Sequence, residues 1–346
     1  MQRKVGFELH SSKVSAWYLW IVVSSNVVID GVTKPTMRRT DSTPSDMSSV
    51  KRAVRSSLLA LYDTFIFDAD GVLWLGGDAI PGSPEFVNQL VDAGKRVVIV
   101  TNNSTKTIDE YFEKTKKLGF KVEKESIVSP AVVTAHLLSE SGNGRSHLPV
   151  YLLGTNGLAE TLAKKGVQSF GVGPDHFESY TDTNFVMKVD TSRQIRAVVV
   201  SYDNHFSYIK LMKAINYLRD QDVDFVATNE DLTFPGPHKD VLVPGSGSIV
   251  NSVRMAAGRD PVVMGKPHRP IFDFICARFG IDPKRSLMVG DRCDTDILFG
   301  NNHGMDTMLV YTGIHNSEDL TRFESQGRTD LLPKYFAPSL NVLLSE

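Results

Sequence analysis

An α/β fold with a doubly wound, mostly parallel, Rossmann-like core sheet and an inserted α/β cap domain is what this sequence predicts, on three observations. From Tyr62 onward, short β-branched runs alternate with longer amphipathic stretches, the pattern of βαβ units. The strand runs are apolar at consecutive positions, as strands covered on both faces must be. A second α/β set interrupts the first, and a set inserted within a sheet domain reads as a cap over the strand ends.

The elements follow in order. "TFIFDAD" supplies the first strand, "SPEFVNQLVDAG" a helix closed by Gly94, and "RVVIVTNNS" the second strand. A helix near Ile108 to Leu118 is closed by Gly119. The inserted set contains "PVYLLG", a helix from Gly157 to Lys165, "IRAVVVSYD", the helix "SYIKLMKAINYLRD", "VDFVATNED" and a helix near Ile249 to Ala257. The core pattern is expected to resume with "PVVMGKP", then "RPIFDFICARFG" as a helix and "SLMVGD" and "TMLVYTG" as strands. The expected division is therefore an extension and linker over 1–50 without fixed structure, core over 51–141, cap over 142–258, and core again over 259–346.

The first residues pose a separate question. Ser15 to Ile29 is apolar and follows Arg3, Lys4 and Lys13, as in a secretory leader, but Ser24, Ser25 and Asn26 interrupt it and no clear cleavage site follows. An optional amino-terminal extension, ending near Met47 after a Ser/Thr/Pro-rich linker, is the preferred reading.

With 346 residues and 41% hydrophobic content, the chain can bury one large core or two modest ones. Lys plus Arg (38) nearly balances Asp plus Glu (40), and no basic block suggests a nucleic-acid footprint. Two cysteines, Cys276 and Cys293, are too few for a disulfide framework and fit a reducing, cytoplasmic compartment. No membrane partner is expected. The histidines His205, His238, His268 and His303 lack the spacing of a zinc site.

Ligands in doubly wound folds sit at the carboxyl ends of the strands, and four polar motifs fall there. Asp68 and Asp70 in "FIFDADGVLW" would project to one side if the strand continued through them, a repulsion that a divalent cation can relieve, with Gly71 turning the chain away. "GDRCDTD" places Asp291, Asp294 and Asp296 at another strand end. Hard oxygen ligands with room for water favour magnesium. Thr101, Asn102 and Asn103 add neutral donors, and Lys266 adds a cation. Together these can hold and cleave a phosphate ester.

At these residues the chain resembles the haloacid dehalogenase superfamily. "DADGVLW", "TNNS", "GKP" and "GDRCDTDI" match its four ordered motifs, and an insertion between the second and third is similar to the subgroup of phosphoglycolate, 4-nitrophenylphosphate and pyridoxal phosphatases. The resemblance spans roughly Leu59 to Leu344. It implies that Asp68 is the nucleophile and a metal ligand, and that Asp70 is the general acid/base with its backbone carbonyl toward the metal. Thr101 and Asn102 would bind phosphoryl oxygens, Lys266 would offset negative charge, Asp291 would complete the metal site, and Asp296 would stand in the outer shell. Asn103 and Phe234 join the substrate-binding set. In the pyridoxal phosphatases a histidine precedes the proline of the cap's specificity loop; here Phe234 precedes Pro235, which tilts away from pyridoxal phosphate toward phosphoglycolate, an aryl phosphate or another small phosphorylated metabolite.

The bland alternatives are specific. Asp294 could be the N-cap of the next helix, Thr101 to Asn103 could be turn formers, Phe234 could be a packing residue of the cap, and Cys293 reads best as a small buried thiol. The expected function is magnesium-dependent phosphomonoester hydrolysis through an aspartyl-phosphate, against a phosphotransferase or mutase and a silent scaffold as rivals. A homodimer through the cap is the candidate assembly.

Overall fold

The computed structural model describes residues 50–141, 144–175, 185–235 and 241–344; of the expected extension over 1–50, all but Val50, which is buried, lies outside them. Its largest sheet has seven parallel strands, in the order Lys51–Arg52, Tyr335–Ala337, Asp306–Val310, Ser286–Gly290, Thr64–Phe67, Arg96–Val100, Ile127–Val128. From Thr64–Phe67 the chain steps outward through Arg96–Val100 to Ile127–Val128, and from Ser286–Gly290 it steps the other way. The order reverses between these two central neighbours. A crevice at strand carboxyl ends is expected at such a reversal, and Asp68 and Asp291, which follow directly on these strands, flank it.

Both faces of this sheet are covered, as the unbroken apolar runs require. Phe65 and Phe67 join one hydrophobic cluster with Val97, Ile99, Leu287 and Val289, whereas Ile66 joins the opposite one with Val98, Val100 and Met288. This is the alternation that a strand imposes on successive side chains. The second cluster continues through Ala131, Val133 and Leu138 of the helix Pro130–Glu140 to Val150, Leu152, Ala197 and Val199 of a second sheet. That helix, between two sheets, is buried on more than one side.

The second sheet is also parallel, with five strands in the order Val262–Val263, Asp224–Ala227, Ala197–Val200, Val150–Leu153, Ser169–Phe170. Its sequence lies between Ile127–Val128 and Ser286–Gly290 of the first. One expectation is corrected here: "PVVMGKP" does not resume the first sheet. Val262 pairs with Val226 and Val263 with Ala227. The preceding helix, Ser246–Ala257, stops at left-handed Gly258, and the short connection leaves the next strand beside the sheet it came from. Only after Val263 does the chain cross to the first sheet's strand ends. Among the described residues no helix is long and apolar enough to cross a membrane.

Candidate active site

The parallel register brings the motifs together. Phe67 lies opposite Val289 on one side and Ile99 on the other, so Asp68 is level with Gly290 and Val100, and its N–H donates to the Val289 carbonyl at 2.9 Å. Three loops thus leave one edge side by side. A fourth arrives from the second sheet carrying Lys266.

Lys266 organises the centre. Its side chain is sunk to 1% exposure, and its Nζ donates to Asp68 Oδ1 at 2.5 Å, Asp296 Oδ1 at 2.8 Å and the Val100 carbonyl at 2.7 Å. All three ammonium protons have partners. Burial works against the lysine's charge, but Asp296 and Asp68 outweigh it and lift its pKa above the usual range. Asn102 fixes the same residue from outside: its Oδ1 accepts from the Lys266 N–H at 2.9 Å and its Nδ2 donates to the Lys266 carbonyl at 3.0 Å.

Asp68, Asp291 and Asp296 bring one carboxylate oxygen each within 4.8 Å of one another. Against three buried carboxylates stands one lysine. The excess negative charge shows in the acids: burial, with Asp296 and Asp291 adding to it, holds Asp68 well above its ordinary value, and burial with Asp296 pushes Asp291 up to about 7. Asp291 accepts from the Ile314 N–H at 2.9 Å, and Asp296 Oδ2 accepts from the Asp291 and Arg292 N–H groups at 3.2 and 3.1 Å. Asp296 is delivered by a wide π-type helical turn, Cys293–Ile297, a form often found at functional sites. Space around Asp291 is kept by glycines. A Cβ on Gly71 would stand 2.5 Å from Asp291 Oδ2, and one on Gly313 only 1.9 Å from it. These carboxylates, their excess charge and the cleared volume fit a hard divalent cation.

Asp70 does not stand where a continued strand would put it. The strand ends at Phe67, Gly71 turns at φ +89°, and the Asp70 carboxylate accepts from Trp74 Nε1 at 2.9 Å. The carboxylate is absent from the three-acid cluster, in which Asp296 takes the third place, and the continuing strand on which the same-side geometry depended stops before it. Trp74 is fully buried, stacks on Tyr111 and carries Lys114 Nζ 4.3 Å above its ring, which makes it a stiff mount for Asp70.

The remaining expected residues divide. Thr101 is buried at the end of Arg96–Val100, its Oγ1 accepting from the Asn103 N–H at 3.1 Å. Asn103 turns into its own loop, where Oδ1 accepts from the Thr105 N–H and hydroxyl at 3.0 and 2.6 Å. Asp294 accepts from Arg292 Nε and Nη2 at 3.2 and 3.0 Å instead of capping a helix. Cys293 is fully buried, and burial raises its thiol, as for an inert core cysteine. Phe234 belongs to the strand Thr233–Pro235, opposite Val243 of Leu242–Pro244; its side chain lies outside the described residues.

Sequence reasoning missed the residues that the second sheet contributes. Glu230 Oε2 lies 2.7 Å from His268 Nε2, and Asp231 Oδ1 lies 3.8 Å from Arg292 Nη1. Burial raises Asp231, while Arg292, Asn229 and Asn102 pull the other way. Consecutive acids after a strand were a visible signal; the core loops they meet were not.

Known proteins overlie this arrangement. A family model described as haloacid dehalogenase-like hydrolase matches residues 65–168, and one described as HAD-hydrolase-like matches 263–342. A NipSnap protein of Caenorhabditis elegans is 50% identical over 259 residues, 74% of this chain, and the match spans about half, 49%, of that protein's length. Glycerol-3-phosphate phosphatase of Mus musculus is 40% identical over 295 residues, covering 83% of this chain and 91% of that one. Among solved structures, p-nitrophenyl phosphatase from Archaeoglobus fulgidus is 27% identical with a TM-score of 0.68, covering 82% of this chain and 99% of that one. A glycerol phosphate phosphatase from Mycobacterium tuberculosis, in complex with magnesium, is 28% identical with a TM-score of 0.66, covering 83% and 78%. On these matches, and on the strand-end chemistry beneath them, the chain belongs to the haloacid dehalogenase-like hydrolase family as one of its phosphatases.

Proposed function

We propose that the chain hydrolyses small phosphate monoesters, of the size of glycerol phosphate, by transferring the phosphoryl group to Asp68 and then to water. The observation that carries this reading is the Asp68 carboxylate at the strand end, held at 2.5 Å by a fully engaged lysine among two further buried acids. Lys266 keeps Asp68 oriented and offsets its charge as the phosphoryl dianion approaches. One Asp68 oxygen attacks phosphorus while the ester oxygen leaves. Asp70, steered by Trp74, gives that oxygen its proton and then takes one from the incoming water, which cleaves the phosphorus–Asp68 bond. With the Asn102 side chain spent on Lys266, its backbone N–H is the group we assign to a phosphoryl oxygen, beside the Thr101 hydroxyl.

Asp68, Asp291 and the Asp70 carbonyl would hold a divalent cation, magnesium in our reading, with Asp296 behind them; when bound, it neutralises charge on the phosphoryl oxygens. Glycerol phosphatases among the relatives support a small polyol phosphate as substrate, alongside phosphoglycolate and aryl esters. The exposed apolar residues Met255, Val262 and Leu242, all in the chain between the two halves of the first sheet, support a homodimer formed through that segment.

The test is phosphate release from glycerol 3-phosphate, 2-phosphoglycolate, pyridoxal 5′-phosphate and 4-nitrophenyl phosphate, with and without magnesium. Magnesium-dependent turnover of the small esters is expected, and no release from any of the four would sink the reading. A second expectation concerns the cleared space: Gly313→Ala places a methyl against Asp291 and should weaken magnesium binding roughly 10- to 100-fold in a calorimetric titration. Unchanged affinity would remove Asp291 from the ligand set.

A further inference from the structure

The loop that leaves the strand Asp224–Ala227 carries Asn229, Glu230 and Asp231, and the two acids grip two different catalytic loops: that of Lys266, which leaves the neighbouring strand Val262–Val263 of the same sheet, and that of Asp291, which leaves the first sheet. Glu230 meets His268, two residues beyond Lys266, and is itself held by Arg254. Asp231 meets Arg292, the residue after Asp291, lies against Asn102 and is propped by Asn229 Nδ2 at 2.7 Å.

The mount behind them is stiff. Gly247 N–H donates to the Asp231 carbonyl at 3.0 Å and Gly245 N–H to the Leu232 carbonyl at 2.7 Å, seating the loop on the first turn of the helix Ser246–Ala257. A Cβ on Gly245 would stand 2.1 Å from the Asp231 carbonyl oxygen, and one on Gly247 would stand 2.2 Å from that of Glu230. Backbone presses on backbone there, so the acids project from a fixed support.

What they hold has other ties as well: Asn102 clamps the Lys266 main chain, and Ile314 and His315 hold Asp291 and Cys293. The Arg292 guanidinium otherwise pairs with Asp294 of its own loop, a contact that fixes the loop only to itself. Asp231 is the partner that ties the guanidinium to the second sheet's loop, beside the links of Asp291 and Cys293 to Ile314 and His315. The Arg292 N–H also donates to Asp296 Oδ2, beside the Asp291 N–H on the same oxygen. Displacing Arg292 therefore disturbs two acids of the site at once.

We propose that Asp231 and Glu230 are positioning residues for the reaction: acting through Arg292 and His268, they hold the loops of Asp291 and Lys266 in catalytic register. This rests on the phosphatase reading of that site. The inserted unit is then part of the catalytic apparatus, in addition to covering it. Misplacing reacting groups by about 1 Å can cost about 100-fold in rate, whereas a partly exposed ion pair contributes little to folding. Loss of the grip should therefore appear in turnover before it appears in stability.

The experiment is a double-mutant cycle on the full chain, with 4-nitrophenyl phosphate and saturating magnesium. Asp231→Asn should lower kcat by roughly 10- to 100-fold with KM changed less than about threefold. Asp231→Glu, whose extra methylene reaches across the 3.8 Å gap, should recover most of the loss. In an Arg292→Gln background, Asp231→Asn should cost nothing more, because the pair it serves is already broken. Glu230→Gln, a second variant of unchanged shape, should show the same pattern against His268→Gln. Additive losses overturn the proposal. So does a rise in KM at unchanged kcat, which would make the loop a substrate binder, or a fall in melting temperature with kcat intact. Absence of activity in the unaltered chain would overturn the phosphatase reading; an active parent with uncoupled variants overturns only the positioning role.

Discussion

Asp68→Asn should abolish hydrolysis, down to the background rate, with magnesium present and the fold intact. The substitution keeps the side chain's shape and its place beside Lys266, but removes the one oxygen nucleophile that the geometry offers to phosphorus. Asp70→Asn separates the two carboxylates, because it leaves the attacking group in place and removes the proton donor and base. A general acid–base contributes about 10²- to 10⁴-fold, and its loss falls hardest on esters with poor leaving groups. The Asp70 variant should thus lose more on glycerol 3-phosphate than on 4-nitrophenyl phosphate, whose phenolate departs with less help. Acid quench and borohydride reduction should then convert phosphorylated Asp68 to homoserine in the peptide Phe65–Trp74. Hydrolysis that survives Asp68→Asn, or phosphate found on another residue, would favour direct attack by water.

Lys266→Met should be the most damaging single change to the fold as well as to activity. Methionine follows the lysine stem as far as Cε, so most of the packing is kept while the ammonium is lost. The Asp68 and Asp296 carboxylates are then left buried against each other, and the Val100 carbonyl loses its donor. Breaking a buried pair by removing one partner costs about 3–5 kcal/mol, a large share of a typical domain's stability. The melting temperature should fall accordingly. Adding Asp296→Asn removes one of the stranded charges and should recover part of that stability, with activity still absent. If Lys266→Met melts like the parent, the three-way contact carries no folding energy and the lysine serves the reaction alone.

Much of this was legible in the residues. Apolar runs of four or five with glycine-closed helices between them announce parallel strands, and in a parallel sheet every strand ends at the same edge. Asp68, Thr101 and Asp291 fall together on that ground alone, since each directly follows such a run. Lys266 was legible for a different reason: its local sequence looks like a strand end, although the strand before it belongs to the other sheet. The similarity between "VIVTNN" and "FVATNE" also has a spatial meaning. A Cβ on Gly265 would touch Asn102 Oδ1 and the Thr228 carbonyl together, so the two strand ends meet across that glycine.

What could not be read concerns direction and partnership. Whether Asp70 or Asp296 completes the acid cluster depends on where the strand stops and how Gly71 turns, which an alternation rule that assumes a continuing strand does not register. Asn102 and Asn103 look alike in sequence, yet one clamps the Lys266 main chain and the other turns into its own loop, because only the first faces the crossover from the second sheet. The Glu230–His268 and Asp231–Arg292 contacts join residues 38 and 61 positions apart, the first between neighbouring strand ends of one sheet and the second across two sheets. Local chemistry along the chain decides which residues can act and on which strand end each sits, because propensity and hydrophobic period are short-range. Which of them share a charge, a proton or a cation is decided only where the strand-end loops of the two sheets meet, because pairing energies depend on distances that no spacing in the sequence encodes.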